Sequence, residues 1–301
     1  SNIGCMTYLF LLLIQMQIKK LIQYFILKMR MSILKNIFKN IVRRNQYKVI
    51  SITNLCPICN CDLLLDKNKV LSDDLISDWG LDEYEVEQFN MREGESCKKC
   101  GASLRIRNIA HAILIAYGMG KTVTLKQLVS QELFGLSIAE INYCSQIHDL
   151  LAVSNNLYYS EFGSHENGIR DEDLMSLSYK DSMFDLIINT DVLEHVPDID
   201  IALSEISRTL KSDGVFIFTV PIIFNRKTKR RAFKNINNEI EFIESKSFHG
   251  NYQSKSLDYL VFNEFGYDFV DKLKSYFNVC IVKEKSDKHK LRVVFLCKKG
   301  G

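Results

Sequence analysis

FDLIINTDVLEHVPD, residues 184–198, is the stretch whose reading decides the fold. Its apolar run Leu186-Ile187-Ile188 does not alternate with polar residues, so it reads as a parallel strand buried on both faces. The run closes on Asp191. Working outward, LSIAEI (136–141), LYYSEF (157–162), EDLMSL (172–177) and GVFIFTVP (214–221) supply further segments of the same kind. Three of the apolar runs end in or next to a carboxylate, at Glu140, Glu161 and Asp191, and Asp173 sits in a polar turn between the second and third. In a doubly wound sheet, ligands bind past the carboxyl ends of the strands. Acids at successive strand ends therefore point into one crevice. A nucleoside, with a ribose diol and an exocyclic amine, carries the donors that such acceptors take.

Leu177-Ser178-Tyr179-Lys180-Asp181-Ser182-Met183-Phe184-Asp185-Leu186, then Asp191-Val192-Leu193-Glu194-His195-Val196-Pro197-Asp198, then ALSEISRTLKSDGVFIFTVP (202–221), together resemble the class I S-adenosylmethionine-dependent methyltransferases of the type 11 group. The resemblance covers about residues 133–301. It implies an α/β fold: a Rossmann-like, doubly wound, mostly parallel sheet with a C-terminal antiparallel hairpin. It also implies S-adenosylmethionine as cofactor, with Glu161 on the ribose hydroxyls, Asp173 and Leu174 on the adenine, and Asp191 and Val192 on the methionine side. One segment departs from the family. Where the family has a glycine-rich turn, this chain has Glu140-Ile141-Asn142-Tyr143-Cys144-Ser145. Glycine there permits positive φ and close backbone approach. Asn tolerates the left-handed region better than most residues, so Asn142 is expected to keep the turn, and Glu140 and Asn142 are counted with the cofactor residues. A catalytically silent cofactor-binding module is the alternative that the missing glycines leave open.

The chain has 301 residues, 47% of them apolar and 25% charged, which is long enough for one sizeable core plus an accessory module. A net charge of +3 hides an asymmetry: every charged residue before Asp62 is Lys or Arg. Residues 15–48 set apolar positions such as Ile18, Leu21, Ile22 and Phe25 at helical spacing among Lys19, Lys20, Lys28, Lys35 and Arg43. A basic amphipathic helix of this kind fits peripheral contact with the inner face of a membrane, or packing on its own domain. Cys5 to Ile14 is an apolar run too short to span a bilayer. Two readings of the start stand beside these: Met31 as the natural first residue, and Ser1-Asn2 as a processing scar. The expected organisation is a basic extension over 1–50, a zinc-ribbon-like module over 51–108, and the cofactor-binding domain over 109–301.

Cys56-Pro57-Ile58-Cys59 and Cys97-Lys98-Lys99-Cys100-Gly101 are two C-x-x-C knuckles. Each puts two thiols on one tight turn, and two turns make a tetrahedral thiolate site suited to structural zinc. Disulfides among the four are the competing reading. A nucleotide-cofactor enzyme without an export signal is expected to be cytoplasmic, where thiols stay reduced. Cys61, spaced C-N-C from Cys59, suits the site less well. The intervening LSDDLISDWGLDEYEVEQFN (71–90) is acidic and holds the single tryptophan. Cys280 and Cys297 lie in apolar strands as core thiols.

NVCIVKEKSDKHKLRVVFLCKK (278–299) reads as two β runs around a charged turn, a hairpin. Before it, Phe248-His249-Gly250-Asn251 and Leu260–Asp268 resemble strings found in a bacterial subset of the same family, in an insert at the mouth of the crevice. Gly118-Met119-Gly120-Lys121-Thr122 resembles the end of a phosphate-binding loop, but Ile115 stands where the first glycine is needed and HAILIAYG (111–118) reads as a buried helix. A sulfonium methyl is already activated, so a base is required only where the acceptor must lose a proton. His195, at a strand end, and His249, in the mouth insert, are the candidates. Their structural alternatives are capping of the following helix and bracing of a loop. The acceptor expected from family analogy is a small molecule or glycan precursor, O-methylated. RNA is the alternative, resting on Arg105, Arg107 and the basic run 226–231, without the aromatic–basic interleaving that favours base stacking.

Overall fold

Strands that are apolar on both sides need helices on both faces of their sheet, and the fold supplies them. The computed structural model describes residues 47–50, 55–118, 124–248, 259–284 and 291–300. The chain enters with β1 (Tyr47–Ile50) and β2 (Leu65–Lys67). Ser72 then caps α1 (Asp73–Trp79), accepting from Leu75 N at 3.2 Å. A reciprocal capping box between Asp82 and Glu85 starts α2 (Glu83–Gly94). β3 (Glu95–Cys97) pairs antiparallel with β2, and Ser103 caps α3 (Leu104–Tyr117). The buried helix read in HAILIAYG is the second half of α3, and Gly118 is its C-cap. The 108/109 boundary expected between module and domain falls inside this continuous helix.

The sheet domain follows with α4 (Leu125–Leu128), β4 (Ile138–Ile141), α5 (Gln146–Leu151), β5 (Leu157–Glu161), β6 (Arg170–Asp171) and β7 (Phe184–Thr190). Next come α6 (Ile199–Thr209), β8 (Leu210–Thr219), β9 (Ile222–Ile223), β10 (Lys229–Arg230), β11 (Ala232–Lys234) and β12 (Ile240–Phe242). β13 (Asn263–Gly266), α7 (Phe269–Lys274), β14 (Phe277–Glu284) and β15 (Val294–Lys299) end it. The main sheet has the order β1-β14-β15-β8-β7-β4-β5-β6. β4 to β8 are parallel, and β15 lies antiparallel between β8 and β14, the expected C-terminal hairpin. β1 pairs parallel with β14, Tyr47 opposite Ile281. The helix expected over 15–48 lies outside the described residues except at Tyr47 and Lys48, which are strand instead, because an edge of the sheet takes their backbone.

One face of the sheet packs on α6 through Ala202, Leu203 and Ile206, all fully buried. Phe216, Phe218 and Phe295 stack along its centre, with centroids 4.3 and 5.1 Å apart. α3 buries Ile106, Ile109, Ala110 and Ile113 and packs against β8, β14 and β15. Trp79 and Phe89, from α1 and α2, form a second cluster with Ile223, Val261 and Leu291. Arg231 is buried with carboxylates of Asp78 and Glu264 on either side, and Trp79 Nε1 donates to Ser247 Oγ at 3.2 Å. The cysteine-bearing segment is therefore part of one compact unit spanning residues 46–301.

Burial, reinforced by the Arg107 charge one turn earlier, pushes His111 on α3 down to about 4. An imidazole depressed in the fold binds fewer protons than in the unfolded chain between about pH 6.5 and 4. Its stabilisation is present above pH 6.5 and is lost as pH falls through 4, by at most about 3 kcal/mol. Denaturant titrations across that window are expected to show a smaller pH slope for His111→Gln than for the wild type.

Candidate active site and cysteine centre

The chain leaves β4 in one direction to β5 and β6 and in the other to β7 and β8, so a switch point lies between β4 and β7. A cleft of about 920 Å³ opens there. Asn142, Glu161, Asp173, Leu174, Asp191 and Val192, all expected to hold the cofactor, line it. Glu161 is half-buried at the last position of β5, and its Oε1 accepts from Tyr159 Oη. Asp173 Oδ1 accepts from Met175 N at 2.8 Å, closing the turn that presents Leu174, buried to 4% exposure. Free carboxylate lone pairs beside an apolar wall of Leu174, Met175 and Val192 suit a ribose diol next to a base. The donor set fits a nucleoside cofactor.

Glu140 is placed differently from the expectation. It is fully buried and absent from the cleft wall. Its carboxylate accepts from Cys144 N at 2.8 Å and pairs with His148 Nδ1 at 2.6 Å. The reason is strand alternation: neighbouring side chains point to opposite faces, and here Ile141 is the one lining the cleft. Burial holds the Glu140 carboxyl above its ordinary range despite both partners. Glu140 thus braces the cofactor turn from below.

That turn keeps its shape without glycine. Asn142 adopts φ 68° and Ser145 φ 54° with ψ −135°. The first is a left-handed conformation that Asn tolerates. The second matches the leading position of a type II′ turn, which strongly favours glycine. Ser145→Gly is expected to raise stability by about 1 kcal/mol by removing that strain, read as a higher midpoint in denaturant unfolding.

At the end of β7, Asp191 carries the densest electrostatics of the cleft. Arg92 from α2 holds it in a fork, Nη2 to Oδ1 at 2.5 Å and Nη1 to Oδ2 at 2.7 Å. Thr219 Oγ1 donates to Oδ1 at 2.8 Å, and Arg105 Nε lies 3.5 Å from Oδ2. Arg105 Nε also donates to both oxygens of Glu93 at 3.0 Å. Burial alone would raise the Asp191 carboxyl, but the charges of Arg92 and Arg105 outweigh it and hold it far below the usual carboxylate range. Asp191 itself sits at φ 52°, and its N–H donates to Thr219 O at 3.0 Å. Removing one partner of a buried pair strands the other charge, so Arg92→Met should cost about 3–5 kcal/mol of unfolding free energy. The Asp191 contribution is present above its unfolded value near 3.8 and lost as pH falls below it. Wild-type stability should therefore fall more steeply with acid than that of Arg92→Met.

His195 lines the cleft beside Asp191 and Val192. Its Nδ1 lies 3.0 Å from Leu260 O, a carbonyl that can only accept, so that nitrogen donates, and Nε2 lies 3.8 Å from Glu194 Oε1. Glu194 and His195 do not cap the next helix; Asp198 does, accepting from Asp200 N and Ile201 N. His249 lies outside the described residues.

The four cysteines Cys56, Cys59, Cys97 and Cys100 converge, with all Sγ atoms within 4.8 Å of one another. Cys56 Sγ and Cys100 Sγ are 3.8 Å apart, and Cys59 Sγ and Cys97 Sγ 3.9 Å. A tetrahedron with metal–sulfur bonds of about 2.3 Å has edges of about 3.8 Å. These separations match that edge and are far longer than an S–S bond. Burial raises the Cys97 thiol, but backbone donation from Cys100 and Lys99 brings it down to about 7, whereas Cys56 and Cys100 are pushed up, chiefly by burial. This donor set at this spacing is one that a structural metal ion would take. Cys61 stays outside the cluster, bonded to Cys59 O at 3.6 Å. Cys280 and Cys297 are core thiols, as their strands imply.

Sequence reasoning missed Arg92 and Arg105 as cleft residues. Arg105 was visible only as a basic residue after a knuckle, and Arg92 carried no signal. It also missed His148, whose signal was the short helix directly after the turn.

Residues 123–218 match the family described as "Methyltransferase domain". No curated protein matches the chain in sequence. Among solved structures, it is similar to an S-adenosylmethionine-dependent methyltransferase of Mesorhizobium loti, with 13% identity and TM-score 0.34 over 57% of this chain and 94% of that one. An S-adenosylmethionine-dependent methyltransferase of Thermotoga maritima gives 18% identity and TM-score 0.34 over 58% and 87%. The cyclase SpnF gives 23% identity and TM-score 0.26 over 33% of this chain, which spans 44% of the cyclase.

Proposed function

We propose that this chain, whose residues 123–218 carry an S-adenosylmethionine-dependent methyltransferase domain, methylates a hydroxyl of a small molecule or glycan precursor. Bound S-adenosylmethionine supplies an activated methyl group, and the protein's part is to align the acceptor, exclude water and take its proton. Glu161, Asp173 and Leu174 would hold the nucleoside, and Asp191 and Val192 the methionine side. His195 Nε2 would be the base. A hydroxyl must lose its proton on methylation, and an imidazole held at Nδ1 by Leu260 O is placed to accept it through Nε2.

The observation that carries the small acceptor over RNA is the fate of the basic run 226–231. Arg226 donates to Trp79 O at 2.8 Å and pairs with Glu85 at 3.1 Å. Lys229 pairs with Glu244, and Arg230 donates to Pro197 O at 3.2 Å. Arg231 is buried between Asp78 and Glu264. Arg226 and Arg231, two of the five cations of the run, thus hold the mouth insert on the cysteine-bearing segment and are withdrawn from phosphates, while Lys227, Lys229 and Arg230 stay at the surface. A cleft of about 920 Å³ falls within the range of small-molecule sites. The alternative outcomes are an RNA acceptor and a silent cofactor-binding module. Residues 15–48, of which only Tyr47 and Lys48 are described, remain the proposed contact with the inner membrane face of a cytoplasmic enzyme.

A screen with methyl-labelled cofactor over hydroxylated metabolites, glycan precursors and RNA tests the reading; label confined to RNA would overturn it. With the acceptor so identified, His195→Gln is expected to lower kcat by about 10²- to 10⁴-fold while leaving cofactor affinity unchanged.

We also propose structural zinc at Cys56, Cys59, Cys97 and Cys100. Four thiolates close the coordination sphere and leave no position for substrate. Elemental analysis should find one zinc per chain in the wild type and a marked loss in Cys97→Ser. Disulfides among these four in mass spectra would reverse the assignment.

A further inference from the structure

The segment bearing the second knuckle reaches into the cofactor cleft. Arg92 lies five residues before Cys97, and Arg105 five residues after Cys100. Both side chains arrive at Asp191 on the far strand end, and both line the cleft. Gly101 follows the knuckle directly, and a Cβ there would lie 3.6 Å from Gln146 Nε2, at the start of the helix after the cofactor turn. The knuckle and the cofactor turn are thus neighbours.

The two arginines are not equivalent. Arg92 has both terminal nitrogens on Asp191, and its side chain is 3% exposed. Arg105 uses only Nε, on Glu93 and near Asp191. Among the described residues nothing takes a hydrogen bond from its Nη1 or Nη2, and its side chain is 20% exposed, in the cleft wall. A guanidinium whose outer edge is open matches a carboxylate in two parallel hydrogen bonds. The lysine of the cleft wall, Lys234, is an exposed residue of β11.

We propose that Arg105 binds the α-carboxylate of the cofactor's methionine moiety through Nη1 and Nη2, with Arg92 as a positioning residue that anchors Asp191 beside it. The proposal rests on the cofactor reading above and deepens it. The module that carries the cysteine cluster would then complete the cofactor site rather than only adjoin it. Glu93 has a part in this arrangement: by taking Nε, it turns the open edge of the guanidinium away from itself.

Calorimetry on the full chain with two ligands tests it. S-adenosylhomocysteine carries the amino-acid carboxylate; 5′-methylthioadenosine keeps the nucleoside and lacks it. Arg105→Met is expected to weaken S-adenosylhomocysteine on the order of 10- to 100-fold, the loss of a charge-assisted pair. Methylthioadenosine affinity should stay within about two-fold, which is the same as no pairing lost. Arg105→Lys, which keeps the charge and the fold but loses the fork, should show a smaller loss on the first ligand alone. Equal losses on both ligands, or none on either, would overturn the assignment while leaving the cofactor reading intact. Failure of the wild type to bind either ligand would overturn both.

Discussion

A carboxylate at the end of a buried strand must be paired, and Asp191 is paired from outside its own sheet. Arg92 on α2 forks onto it at 2.5 and 2.7 Å, with the Arg92 side chain almost wholly out of water. Pairs of this kind gain little net energy over an apolar contact, because both charges lose their hydration. What they impose is geometry: either charge left alone is costly, so α2 cannot leave β7 without penalty. The packing of Trp79 and Phe89 on Ile223, Val261 and Leu291, and the burial of Arg231 between Asp78 and Glu264, follow the same docking. The cleft is walled on one side because of it.

The cofactor turn shows how one local rule can be met by different means. In the resembling family, glycines let the backbone bend and approach the ligand. Here Asn142 and Ser145 take the positive φ values, and Glu140 and His148 hold the turn from the core side. The carboxylate that the strand-end pattern assigned to the ligand is spent on the backbone. That use explains how a strained turn without glycine persists: a buried acceptor on Cys144 N over-determines it.

The basic run at 226–231 carries a related lesson. In sequence, a cluster of Arg and Lys reads as a surface for phosphates. In the fold, Arg226, Arg230 and Arg231 join the mouth insert to α1 and α2 and to the turn before α6. Charge density along a chain does not say which carboxylates the fold will bring to it.

Much of the architecture was legible in one dimension. Continuous apolar runs ending near Glu161 and Asp191 required a parallel sheet with a crevice at its carboxyl end, and the final two runs required a hairpin, because these follow from side-chain periodicity and chain connectivity. The knuckles likewise carry their own geometry, since two thiols in each C-x-x-C share a turn. The tertiary structure alone decided which face Glu140 takes, since a shift of one position in a strand reverses the side chain. It alone brought Arg92 and Arg105 to Asp191, across 99 and 86 positions of chain. No local pattern encodes such a contact, because it depends on how α2 and α3 dock on the sheet, and docking is set by the summed burial of residues far apart in sequence.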